Sequence, residues 1–185
     1  MQGILSYAYA YARAKAIESD LIKFEKLNSL VSARDLNQFI NSLNDTHYRE
    51  NFSYFSTKYS GINLVEVAIN SYLVKISKIS LNICPRVGLD ALRAYISKWD
   101  VQNIKTVISS KVLGRSVKET ESFLISEHDL PAGLIAGPLK HEDFRLMLEM
   151  PDVESIINFL LKFPYGKVLY EKLESYRKTG DPGEM

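Results

Sequence analysis

The chain has 185 residues, with 23 Lys+Arg against 22 Asp+Glu, a formal net charge of +1, 46% hydrophobic residues and one cysteine. This near-neutral balance carries no electrostatic footprint for nucleic acid or an anionic membrane surface, and the apolar content excludes a disordered chain while allowing one or two domains with a real core. The lone Cys84 forms no internal disulfide or thiolate metal site, and no run approaches the roughly 18 uninterrupted apolar residues of a membrane-spanning helix.

In chain order, Tyr7, Tyr9 and Tyr11 alternate with Ala8, Ala10 and Ala12, and Ala14 and Ala16 follow. The alternation imitates a strand, but alanine is the strongest helix former and its small size permits close packing, so a helix with its alanine-rich side buried is predicted. Glu18 and Asp20 do not fit an acid-poor transit peptide. Ser32 with Asp35, Asn63 with Glu66 and Ser116 with Glu119 have capping-box spacing and predict three helix starts.

Over residues 62–82, Leu64, Val67, Ala68, Tyr72, Ile76 and Ile79 recur at three- and four-residue steps, which predicts an amphipathic helix. A second stripe, Leu89 to Ile108, opens after Pro85 and closes at Gly114, predicting a long helix over 89–113. Four Pro and Gly residues between Pro131 and Pro138 predict a loop over 127–138. Pro151 suits the first turn of another helix, and the tail from Thr179 should fray. Strand signals are scarce, so the predicted class is all-α.

An internal repeat adds to this. Asp35 to Leu43 lines up with Asp152 to Leu160, and Tyr48 with Tyr165, at a constant offset of 117 residues. Upstream, Ala12-Arg13 can be set against Ile104-Lys105 at an offset of 92. The expected organisation is two helical modules related by pseudo-symmetry, residues 1–84 and residues 85–185, the second carrying the Pro/Gly loop.

Catalytic chemistry is not offered. His47, His128 and His141 are scattered without metal-ligand spacing, and His141-Glu142 lacks the second histidine of a zincin helix. There is no P-loop, no GxGxxG turn and no GxSxG elbow. Cys84, before Pro85, reads as a small hydrophobe, and the carboxylates at Glu142-Asp143 suit a helix start. Lys98, Lys105, Lys111, Arg115 and Lys118 read as a solvated helix surface, with contact to an acidic partner protein as the other reading. No catalytic residue, metal or cofactor is expected.

Three motifs resemble one family, the C subunit of archaeal-type (A-type, also called V-type) ATP synthases, related to the d subunit of vacuolar ATPases. They are the opening Tyr7 to Ala16, with Tyr11 where the family commonly has Asn; Leu43-Asn44-Asp45-Thr46-His47-Tyr48; and Lys98-Trp99-Asp100-Val101-Gln102-Asn103-Ile104-Lys105 followed by Lys111, Gly114, Arg115, Ser116 and Pro131-Ala132-Gly133-Leu134. The resemblance runs over essentially the whole chain. Family members continue into a further helical portion, so the chain is expected to be an N-terminal fragment or a shortened form.

The resemblance implies three similar helical modules in a funnel, two of them here, and a mechanical role. Such a protein links the central-shaft subunits of the ATPase head to the membrane proteolipid ring, peripherally on the cytoplasmic face, and transmits torque without binding a nucleotide, nucleic acid or small-molecule substrate. Trp99 is expected to anchor packing or to meet a partner. Asp100 and Asn103 share a helix side and are expected to hold the first helix, with Arg13 as a candidate partner. Leu134 and Ile135, in the Pro/Gly loop, are candidate contacts for shaft or ring. A free-standing cytosolic helical-repeat adaptor that binds proteins is the rival reading.

Overall fold

The structure is a computed structural model that describes residues 2–125 and 137–184, with side chains from Tyr7 to Gly183. Every regular element among the described residues is helical. The chain divides into two compact units, Met1–Tyr95 and Ile96–Met185. The division therefore falls at the end of the helix that follows Pro85, not at residue 84 as expected.

The first unit holds α1 (Gln2–Ser19), α2 (Phe24–Val31), α3 (Leu36–Leu43), α4 (Arg49–Phe55), α5 (Gly61–Ile83) and α6 (Arg86–Ile96). Its core joins Leu30 of α2, Leu43 of α3, Phe52 and Phe55 of α4 and Leu64, Val67 and Ala68 of α5. Burying each large apolar side chain contributes roughly 1.5–3 kcal/mol. The predicted stripe of α5 is correct, although Ile76 and Ile79 are only half-buried while Val65 and Val74 are fully enclosed.

The expectation for α1 needs correction. Its helical state is as predicted, but Ala8, Ala12, Ala14 and Ala16 are exposed, as are Tyr7, Tyr9 and Tyr11. Among the described side chains of this helix only Ala10 and Ile17, two turns apart, are half-buried, because the alternation of tyrosine and alanine spreads apolar surface around the helix instead of gathering it on one face. This helix packs along α5.

The second unit holds α7 (Lys98–Val112), α8 (Val117–Phe123), α9 (His141–Glu149), α10 (Val153–Leu160), α11 (Pro164–Thr179) and a 3₁₀ turn at Pro182–Glu184. Ile104, Val107, Phe144, Met147, Ile156 and Leu160 form its core. The helix expected over 89–113 is two helices, α6 and α7. Their junction at Ser97 is tightened by an i to i+3 bond, the Asp100 N–H donating to the Ser97 carbonyl at 3.0 Å. The expected fraying of the tail is replaced by a stop at Gly180, whose φ of 69° is left-handed, and by the 3₁₀ turn, which packs on α7 and α11.

The capping expectations divide. Ser116 and Glu119 form the predicted box, each side chain meeting the other's backbone N–H. Ser32 instead ends α2, donating its hydroxyl to the Asn28 carbonyl, and Asp35 is the acceptor that opens α3. Asn63 lies inside α5, which begins at Gly61. Pro151 stands before α10 rather than in it, and Asp152 is the cap.

The offset of 117 residues reappears in element bounds. It separates α3 from α10 at both ends, α2 from α9 at their starts, and the two capping aspartates. Asp35 has φ −150° and ψ 171°, and accepts from the Gln38 N–H; Asp152 has φ −149° and ψ 171°, and accepts from the Ser155 N–H.

Candidate functional site

Each unit contains a groove beside its first long helix. In the second unit, α7 and the start of α11 enclose about 450 Å³ lined by Ile104, Lys105, Ile108, Tyr165, Val168 and Leu169. This surface is mainly apolar, and Val168 is 60% exposed. In the first unit, α1, the turn before α4 and α5 enclose about 400 Å³ that includes Arg13, Asp20, His47, Arg49, Glu50 and Lys75. Arg13, Ala16 and Ile17 stand 92 residues before Lys105, Ile108 and Ser109, the offset noted in the sequence, and all six line their respective grooves.

Behind the apolar groove lies a buried polar cluster on α7. Asn103 is fully buried; its amide donates to the Ile125 carbonyl at 3.1 Å, and its oxygen accepts from the Ile125 N–H at 2.8 Å. This paired bonding satisfies both backbone groups of a residue beyond the end of α8, where no helical partner is available. Asp100, one turn earlier and equally buried, accepts from the Tyr165 hydroxyl at 3.1 Å. Gly137 abuts the same carboxylate so closely that an added Cβ would stand 1.7 Å from Asp100 Oδ2. Burial pushes the Tyr165 hydroxyl well above the ordinary phenol range, and the adjacent Asp100 carboxylate adds to the shift.

Asp100 and Asn103 thus do share a helix side and fix neighbouring backbone and side chains. Their bonds to Tyr165 and Ile125 run within the second unit, and Arg13 lies exposed on the groove of the first unit. Trp99 is half-buried, with the Lys98 ammonium 4.7 Å from its ring centre. Leu134 and Ile135 lie outside the described residues. Lys111, read as solvated surface, instead donates to the Leu148 carbonyl at 2.6 Å and so caps the end of α9.

Sequence reasoning missed the role of Tyr165, Arg49 and His47. For Tyr165 the sequence offered a signal, since it stands 117 residues after Tyr48, the offset shared by Asp35 and Asp152. Tyr48 packs against Tyr72 with ring centres 4.5 Å apart, and burial raises the hydroxyl pKa of both.

His47 Nε2 lies 3.2 Å from Asp20, and Lys75 lies 3.7 Å from Glu50. Among the described residues, no three His, Cys, Asp or Glu side chains gather as metal donors, and no helix is long and apolar enough to cross a membrane. The geometry offers grooves and locked helices, which suit docking.

The family profile described as ATP synthase (C/AC39) subunit matches residues 10–185. The C subunit of the A-type ATP synthase of Thermoplasma volcanium is 44% identical over 180 residues, 97% of this chain and 51% of that protein. The protein of the same name from Thermoplasma acidophilum is 37% identical over the same shares. That from Methanocaldococcus jannaschii is 29% identical over 95% of this chain and 42% of its own length. The chain spans about half the length of the curated relatives it matches. No solved structure matches it. With every regular element among the described residues helical and a profile match covering nearly every residue, the chain belongs to the family of ATP synthase (C/AC39) subunits.

Proposed function

We propose that the chain is a non-catalytic coupling element of an A-type ATP synthase. It links the central-shaft subunits to the membrane proteolipid ring, peripherally on the cytoplasmic face, and passes torque between them. The observation that carries this reading is the 44% identity to a protein named as the C subunit of an A-type ATP synthase, sustained over 97% of the chain.

The physical character of the units supports it. A torque-bearing part has to deform little, and close-packed interiors have low compressibility and transmit strain. The core of the second unit ties α7, α9, α10 and α11 together, and the bonds of Asp100, Asn103 and Lys111 fix it at further points. The boundaries and caps that recur at 117 residues suit repeated modules of the kind the family resemblance implies.

Affinity purification of the tagged chain from cells containing the synthase tests this. Shaft subunits and proteolipids of the same machine are expected to come down with it. Recovery of the chain with unrelated cytosolic proteins, and none from the synthase, would overturn the proposal in favour of a free-standing adaptor.

A further inference from the structure

The groove of the first unit has an imbalance that the coupling role does not by itself explain. At neutral pH it contains three cations, Arg13, Arg49 and Lys75, against two carboxylates, Asp20 and Glu50. Glu50 faces Lys75 at 3.7 Å, and Asp20 faces His47, which carries charge only when protonated, at 3.2 Å. The side chains of Arg13 and Arg49 have no hydrogen-bond or ion-pair partner among the described residues.

The two guanidinium groups reach the groove from different elements, Arg13 from α1 and Arg49 from the first position of α4. The same groove wall also includes three half-buried isoleucines, Ile17 of α1 and Ile76 and Ile79 of α5. A guanidinium is a rigid fork matched to a carboxylate, so each arginine can take one through two parallel hydrogen bonds.

We propose that this groove docks an acidic segment of a partner protein, whose carboxylate side chains pair with Arg13 and Arg49 while their methylene stems lie on Ile17, Ile76 and Ile79. A bare inorganic anion has no hydrocarbon to place on that wall. The inference rests on reading the chain as a subunit of an assembly, and it specifies the partner's chemistry.

The test is a titration of a capped hexaglutamate peptide into the 185-residue chain at low salt, followed by backbone amide NMR. Shifts are expected to concentrate on the second half of α1, the turn before α4 and residues 72–79. Binding should weaken about ten-fold or more in R13Q/R49Q and fade at high salt. The R86Q/R145Q control should bind like the wild type. R49Q, changed at an exposed position, repeats the comparison if the double variant loses its fold, with at least a several-fold loss expected. Shifts scattered over the surface, unchanged affinity in the arginine variants, or inorganic phosphate binding as tightly as the peptide would each overturn the proposal. The titration needs no synthase component, so its failure is distinct from a failed co-purification.

Discussion

The two units open a short helix in the same way and then fill the neighbouring groove with opposite chemistry. Asp35 and Asp152 accept from the backbone N–H three residues on, at nearly identical dihedral angles, and α3 and α10 are equally long. The same registers that deliver Arg13 and Arg49 to a charged groove deliver Lys105 and Gly166 to the second unit, where the lining is apolar and Gly166 is buried. Helix bounds and caps that recur at one offset therefore leave side-chain chemistry free to differ, and equivalent positions do not dictate the lining of a groove.

Gly166 gives the sharpest way to break this comparison. A Cβ there would stand 2.2 Å from the Leu160 backbone, which has no means of yielding, so G166A should destabilise by about 3 kcal/mol in urea unfolding. Asn103→Ala should cost about 2 kcal/mol by the same measurement, because both backbone groups of Ile125 lose their partners in a buried setting.

The Tyr165 hydroxyl titrates higher in the fold than its ordinary value of 10.0, so the folded state favours its neutral form. The associated stability is fully present below pH 10.0 and is lost as pH rises through the raised value. Y165F should accordingly flatten the alkaline fall of the melting temperature.

Smaller effects test the similarity itself. D35A and D152A should each lower the melting temperature by roughly a few degrees, and by similar amounts. For Asp152 the amide of Ser155 holds the carboxyl below its ordinary value of 3.8, so its contribution is present above that pH and fades as pH falls through the lower folded value. Unequal losses in the two variants would break the equivalence of the caps. Smallest of all, R49A should change stability by less than about 0.5 kcal/mol, in contrast to G166A at the matching position.

Much of the fold was legible because periodicity reports which face of a helix is buried, as with α5, and because caps are local. Ser116 and Glu119 met as predicted since both partners lie within one turn. The failures share a cause in tertiary context. Three-residue spacing between Ser32 and Asp35 is the same in a capping pair and in a helix stop followed by a cap, and only the surrounding chain decides. The break at Ser97 left no glycine or proline to betray it.

The site was legible in part. Asp100 and Asn103 stood out by spacing, yet their partners, Tyr165 and Ile125, are 65 and 22 residues away and no local rule points to them. Likewise, the charged groove gathers Arg13, Arg49 and Lys75 from three separate helices, so no run of basic residues announces it.

The half-buried Trp99 is the chain's single tryptophan, and it belongs to the second unit. Its emission during denaturation is a native optical reporter of that unit, whereas helical circular dichroism sums both. Superimposed curves from the two signals would describe one cooperative block, and separated midpoints would describe two that melt in turn.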